Sequence, residues 1–174
     1  MEQQANWHPT SLLVQEQDAP RAADALSVLI FRLGTRHVAL PTAICKEVAE
    51  RGPIHTLPHR RHPLLLGLVN IRGTLQPCLS LSQLLGLPRG DDETASPRSA
   101  QQFLVVENQG DLWVFLVDAI YSIQDMTITA IQSVPTTPEA GMAPYVGGSF
   151  SYEAHDVLYL DLEGVWTTLR KAMQ

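Results

Sequence analysis

The sequence predicts an all-β protein built from two similar β subdomains, arranged as small barrels or as a sandwich. Two observations support this fold class. Short apolar and β-branched segments alternate with glycine and proline turns along most of the chain. The two halves of the chain also show similar features in the same order, which indicates an internal repeat.

The first half contains five predicted strands after a polar N-terminal tail at 1–25. "LSVLIFRLGTRHVAL" predicts a hairpin that turns at Gly34. "PTAICKEVAE" is extended or forms a single helical turn, and "RGPIHTLPHRRHP" is a loop with a short strand at "IHTL". "LLLGLVNIRGTLQPCLSL" predicts two strands joined at Arg72–Gly73. "SQLLGL" predicts a short helix with Gly86 as its C-cap.

The second half follows a polar connector at 88–102. "QFLVVENQGDLWVFLVDAIYSI" predicts a hairpin around Gly110, and "MTITAIQSVP" is short and β-branched. "YVGGSFSYEAHDVLYLDL" resembles the strand pair of the first half. "EGVWTTLRKAM" predicts a C-terminal amphipathic helix with Val165, Leu169 and Met173 at helical spacing.

The internal repeat emerges when the chain is shifted by 76 residues. The identities at this shift are Gly34 with Gly110, Val38 with Val114, Leu40 with Leu116, and Ala43–Ile44 with Ala119–Ile120. One inserted residue brings "IHTLP" at 54–58 onto "IQSVP" at 131–135. A longer insertion brings "LSL" at 79–81 onto "LDL" at 160–162. These matches predict two copies of one β unit.

Composition and charge exclude several functional classes. The 174 residues carry a net charge of −6, which argues against a basic nucleic-acid surface or a polybasic membrane anchor. No apolar run reaches the ~18 residues of a membrane span, and the N-terminus has no secretion-signal pattern. Without an export signal, we expect Cys45 and Cys78 to be reduced thiols in apolar surroundings.

Residues that could carry catalysis or bind metal do not form a convincing set. His55, His59 and His62 cluster in sequence, but the two arginines in "HRRH" would repel a cation, so a basic surface loop is expected. The acidic run at 91–93 lies in the connector. Asp118 follows an apolar strand and is expected to be a turn or cap residue. We therefore expect no cofactor, no metal and no enzymatic activity, and an interaction module fits this profile better.

Arg72 is the unusual residue of an apolar stretch. A guanidinium has five donors and a permanent charge, so it is seldom buried without a partner. Either Arg72 is a solvated turn residue beside Gly73, or it is displayed at the surface for binding. The residue pattern alone leaves both interpretations open.

Several motifs in a fixed order resemble the CheW-like domain family, whose members couple chemoreceptors to a CheA-type histidine kinase. The most specific is "GLVNIRG" at 67–73, supported by "CKEV", "IHTLP", "VFLVD" and "VLYLDLEGV". The resemblance covers about residues 27–170. It implies two five-stranded β-barrel-like (SH3-like) subdomains over residues 26–174, related by the pseudo-repeat and intertwined, with short helices that include a C-terminal one.

The resemblance also implies a function. The chain would be a non-enzymatic, cytoplasmic adaptor recruited to membrane receptor arrays. Its partners would be a chemoreceptor cytoplasmic tip and the regulatory domain of a CheA-type kinase, without nucleic acid or membrane insertion. Arg72 matches the receptor-contact arginine of the family. The flanking or nearby positions implied at the partner surfaces are Asn70, Gly73, Gly67, Glu47 and Cys45.

Two features qualify this interpretation. Ser80–Leu81–Ser82 stands where the family often has an acidic and a basic residue, which removes a possible ion pair on the kinase-facing side. Together with the basic "LPHRR", this departure makes the chain similar to adaptors of Wsp-type surface-sensing pathways.

The alternative function is a small β-barrel module that binds nucleic acid, which the negative net charge disfavours.

Overall fold

The computed structural model describes residues 22–59, 62–88, 100–133 and 141–174. Most of the predicted tail and connector, including the acidic run at 91–93, lies outside the described residues.

Ten strands and two α-helices account for most of the described residues. In chain order they are β1 (Ala25–Leu33), β2 (Arg36–Pro41), β3 (Cys45–Glu50), β4 (Leu65–Ile71), β5 (Thr74–Leu79), α1 (Leu81–Leu84), β6 (Gln102–Asn108), β7 (Asp111–Val117), β8 (Ala119–Thr127), β9 (Val146–Tyr152), β10 (His155–Leu160) and α2 (Leu162–Ala172). A 3-10 turn at Thr42–Ile44 links β2 to β3. The all-β prediction is confirmed.

The strands form two five-stranded sheets whose members come from both halves of the chain. Sheet A has the order β8-β1-β2-β10-β9, and sheet B has the order β3-β6-β7-β5-β4. Each sheet therefore combines the opening hairpin of one repeat with the three later strands of the other. The two orders become identical when β1–β5 are exchanged for β6–β10, so each repeat contributes strands to both sheets.

Neither sheet closes into a barrel among the described residues. β3 and β4 are the two edges of sheet B, and they are not paired with each other. An isolated bridge between His55 and Leu68 attaches the β3–β4 connection to the β4 edge. An equivalent bridge joins Gln132 to Ser149 in sheet A. The subdomains are thus five-stranded sheets that curl without closing among the described residues, in agreement with the predicted barrel-like units.

The register of the repeat differs from the predicted shift by one residue in the opening hairpins. The pairs that flank the two turns are Leu33 with Arg36 and Asn108 with Asp111, which sets a shift of 75. Gly34 and Gly110 occupy different positions of their turns, so aligning them was wrong. A one-residue slip reverses the faces of a strand. Val38 packs in the core shared by both sheets, whereas Val114 packs in a cluster of sheet B alone.

The later matches of the repeat agree with the structure. The second residues of the segments at 54–58 and 131–135, His55 and Gln132, make the two isolated bridges. The "LSL" and "LDL" matches lie at the starts of α1 and α2. There the Ser80 hydroxyl accepts a hydrogen bond from the Gln83 N–H, and the Asp161 carboxylate accepts one from the Glu163 N–H. Both residues are helix N-caps.

The main hydrophobic core receives side chains from both sheets and both helices. A smaller cluster lies within each sheet. Helix α2 buries Val165 and Leu169 as predicted, but Met173 lies just beyond its end and is 41% exposed. Trp166 and Ala172 complete the buried face instead. No helix in the described ranges is both long and apolar enough to cross a membrane.

Candidate functional site

The β4–β5 turn projects Arg72 from the edge of sheet B. Ile71 pairs with Thr74, so Arg72 and Gly73 form a two-residue turn with φ values of 51° and 88°. The Asn70 side-chain oxygen accepts a hydrogen bond of 2.7 Å from the Gly73 N–H. Both turn residues have left-handed φ, which glycine adopts readily and arginine does not. The sequence "NIRG" therefore builds a tight turn with a charged residue at its tip.

Arg72 forms an exposed ion pair with Glu47 of β3. The Arg72 Nε and Nη2 atoms lie 2.8 and 2.5 Å from the same Glu47 oxygen, Oε2. The Arg72 side chain is 83% exposed, and that of Glu47 is 23% exposed. The hydrogen bond and the charge of Glu47 raise the pKa of the guanidinium, which stays protonated. Because β3 and β4 are opposite edges of sheet B, this pair spans the opening between them.

Two surface depressions flank the ion pair and share Glu47, Ile71 and Arg72 in their walls. One measures about 270 Å³ and the other about 460 Å³. The further residues of the first are Ala49, Glu50, Gly52, Pro53, His55, Asn70 and Phe103. Those of the second are Lys46, Thr74, Gln76, Val105, Glu107 and Leu112. Lys46 and Glu107 form a second ion pair of 2.8 Å.

Gly67 supports one wall of the first depression by allowing His55 to lie close to β4. His55 and Leu68 exchange two backbone hydrogen bonds of 2.8 Å, which hold the β3–β4 connection against β4. Gly67 has a φ of +154°, and a Cβ atom there would collide with the carbonyl oxygen of His55. Only glycine permits this approach without a shift of the backbone. Gly67 thus supports the position of His55 in the wall.

Cys45 lies near Glu47 in sequence but is turned away from the ion pair. A bulge at Lys46 separates them, because Cys45 pairs with Val106 and Glu47 with Val105. Cys45 packs against the main core, and its Sγ lies 3.5 Å from the carbonyl oxygen of Pro41. Burial raises the pKa of this thiol to about 11, so it is protonated near neutral pH. Its contribution to the surface is therefore packing beneath β3.

Asp118 and the two cysteines, which the sequence analysis also considered, make contacts that stabilise the fold. The Asp118 carboxylate accepts hydrogen bonds from the Gly34 N–H at 2.6 Å and from Gln101 Nε2 at 3.0 Å, which confirms its role as a turn residue. Both cysteines are free thiols, and burial raises the pKa of Cys78 to about 12. Within the described part of the chain, no three histidine, cysteine or acidic side chains are placed to hold a metal ion.

Sequence reasoning named both Arg72 and Glu47 but missed their pairing. It also missed the Lys46–Glu107 pair and a cluster formed by His37, Tyr121 and His155. Glu47 and Arg72 are 25 positions apart in the chain, and the curl of the sheet brings them together. These groups follow from the strand register, which places the bulges and turns of the two repeats at equivalent points and which local sequence patterns do not give.

The fold and this exposed polar turn define a duplicated β module with a charged interaction surface. The model of the CheW-like domain family matches residues 27–169, and the chain belongs to that family. The chain is 22% identical over 140 residues to "Probable chemotaxis protein CheW" of Rhizobium etli, covering 80% of this chain and 86% of the relative. It is 24% identical over 147 residues to "Chemotaxis protein CheW" of Thermotoga maritima, covering 82% and 91%.

Two further similarities extend this comparison. The chain is 26% identical over 132 residues to "Protein PilI" of Pseudomonas aeruginosa, covering 76% of this chain and 71% of the relative. The crystal structure of the scaffolding protein TtCheW from Thermoanaerobacter tengcongensis matches with a TM-score of 0.65 at 20% identity. That match covers 79% of this chain and 84% of the other. It confirms the two-subdomain fold.

Proposed function

We propose that this protein is a non-enzymatic adaptor of a chemosensory system. It couples the cytoplasmic tip of a chemoreceptor to the regulatory domain of a CheA-type histidine kinase, and it works in the cytoplasm at membrane receptor arrays. Membership of the CheW-like family and the chemotaxis proteins among its relatives support this function. The Wsp-type pathway suggested by the sequence remains a narrower prediction.

The observation that carries the proposal is the display of Arg72 on a strained turn beside two depressions. Left-handed φ at a non-glycine residue costs free energy, and such strain is often retained at binding sites. Two of the guanidinium nitrogens, Nε and Nη2, contact Glu47. This leaves donors directed at solvent, where they can bind carboxylate or carbonyl oxygens of a partner. Asn70 and Gly73 maintain the turn, and Glu47 fixes the direction of the guanidinium.

The adaptor acts through simultaneous binding. A receptor tip at the Arg72 turn and a kinase domain on another face share one scaffold, so a receptor state that favours one arrangement also biases the kinase. The intertwined sheets support such linkage because each contains strands from both halves of the chain. Ser80 caps helix α1, so the usual acidic residue at this point is replaced by a helix-capping hydroxyl.

Co-purification tests this function. The full chain carries a tag, and the baits are a soluble receptor-tip fragment and the regulatory domain of a CheA-type kinase. Arg72→Glu should lose the receptor fragment and retain the kinase domain. Lys171→Glu is the matched control, because it reverses an exposed charge at the end of α2 and should retain both baits. Equal recovery of the receptor fragment by wild type and Arg72→Glu would refute the role of Arg72.

A further inference from the structure

The sheet A counterpart of the ion-paired opening carries aromatic and imidazole rings. Tyr121 is the bulged residue of β8, since Ile120 and Ser122 pair with consecutive residues of β1. It occupies the position that Lys46 has in β3. By the same register, the counterparts of Glu107, Leu112 and Thr74 are Arg32, His37 and His155. The two openings are therefore equivalent in the backbone and different in chemistry.

His37 contacts the two other rings at this opening. Its ring centroid lies 4.9 Å from that of Tyr121, with the planes at 55°, and 4.4 Å from that of His155, with the planes at 43°. Tyr121 belongs to the edge strand β8, His37 to β2 and His155 to β10. In sheet A, β1 lies between β8 and β2. The rings thus connect the edge strand to two strands with which it shares no backbone pairing.

The charges around His37 favour its neutral form. Burial lowers the pKa of the His37 imidazole, and the positive charges of His155 and Arg32 lower it further. Arg32 is its Cα partner on β1, and Arg36 precedes it on β2. On β10, Asp156 neighbours His155 in sequence, so it points to the opposite face of the strand. Glu153 lies in the β9–β10 turn, two residues before His155.

We propose that His37, His155 and Tyr121 form an acid-sensitive clasp that adds to the β1 ladder in holding the edge strand β8 on sheet A. Near neutral pH, the uncharged His37 ring packs between its two neighbours. Below pH 6.5, protonation of His37 places its positive charge against the cationic groups around it. The rings then separate, and β8 keeps its pairing with β1 but loses the side-chain contacts that reach beyond β1 to β2 and β10. Sheet B has ion pairs at the equivalent opening and lacks this ring cluster.

The direction of the pH effect follows from linkage. An unfolded histidine has a pKa of 6.5, and His37 in the folded chain has a lower one. Between these two values the unfolded or detached state binds more protons. The contribution of the clasp to the attachment of β8 is therefore complete above pH 6.5 and weakens as the pH falls through this window.

Two measurements on the full chain test the clasp. NMR titration of the imidazole resonances should show His37 titrating below pH 6.5, and His155→Gln should raise that value. Amide hydrogen exchange, corrected for intrinsic rates, should show a several-fold loss of protection in β8 relative to β3 between pH 7.5 and 5.5. His37→Gln should abolish this pH dependence. His59→Gln, in an exposed loop, should retain it.

Two results would overturn the proposal. One is a His37 imidazole that titrates at or above pH 6.5. The other is a loss of β8 protection in acid that is the same in wild type and in His37→Gln. The titration of His37 is measured on the wild-type protein. It therefore remains interpretable even if His37→Gln folds poorly.

Discussion

Replacing Gly67 by alanine tests how the Arg72 surface is built. The added Cβ would collide with the carbonyl oxygen of His55 and approach the side chain of Ile54. The atom it meets is backbone, so relief requires the β3–β4 connection to move away from β4. We expect both hydrogen bonds between His55 and Leu68 to break or lengthen. The first depression would widen as a result.

The expected loss of stability can be assembled from these contacts. Two backbone hydrogen bonds contribute about 1 kcal/mol each in net terms. An alanine forced to keep a φ of +154° costs on the order of 1 to 3 kcal/mol. The variant will adopt whichever combination of backbone strain at residue 67 and lost hydrogen bonds between His55 and Leu68 costs the least free energy. We therefore expect Gly67→Ala to lower the free energy of unfolding by about 2 to 4 kcal/mol.

Urea denaturation followed by tryptophan fluorescence measures this loss, since Trp113 and Trp166 lie in the main core. Gly34→Ala is the matched control. Gly34 also has a left-handed φ, of +58°, but nothing lies within 4 Å of the position its Cβ would take. We expect Gly34→Ala to lower the free energy of unfolding by about 1 kcal/mol. A midpoint for Gly67→Ala equal to that of Gly34→Ala would refute the close-approach argument.

Three further predictions concern the helix and the thiol. Asp161→Ala should lower the free energy of unfolding by about 1 kcal/mol in urea denaturation, because it removes the N-cap of α2; no loss would contradict the cap. Leu169→Ala should lower the free energy of unfolding by about 2 to 5 kcal/mol, whereas Met173→Ala should lower it by less than about 1 kcal/mol. Equal losses would indicate that Met173 is buried as deeply as Leu169. Cys45 has a folded pKa of about 11 against 9.0 in the unfolded chain, so its thiolate fraction at pH 8, and its alkylation rate, should be about 100-fold below those of an unperturbed thiol. The same difference means that stability contributed by the Cys45 thiol falls as pH rises from 9 to 11, and alkylation at the unperturbed rate would contradict its burial.

Local patterns predicted the individual elements well. The glycine turns marked the hairpins, and the apolar segments "SQLLGL" and "EGVWTTLRKAM" marked the two helices to within a few residues of their observed starts. These features depend on residues close together in the chain, where backbone preference and capping act directly. The resemblance to the CheW-like family supplied the two five-stranded units.

The register and the assembled site were beyond local patterns. Gly34 and Gly110 take different places in their turns, so aligning like residues shifted the repeat by one. The Arg72–Glu47 pair depends on the curl of a sheet that brings its two edges together, which strand periodicity does not encode. The contact between His37 and Tyr121 depends on a bulge in β8. In each case the decisive contact is long-range.

The most direct test of the proposed function is the affinity of a receptor-tip fragment for three forms of this chain. These are wild type, Arg72→Glu, and the charge-swapped double variant Arg72→Glu with Glu47→Arg. The swapped pair can re-form across the same opening and maintain the turn. If the receptor is bound by the charge of Arg72, both variants should bind at least about tenfold more weakly than wild type. Recovery of wild-type affinity in the double variant would contradict this account and leave the ion pair with a structural role alone.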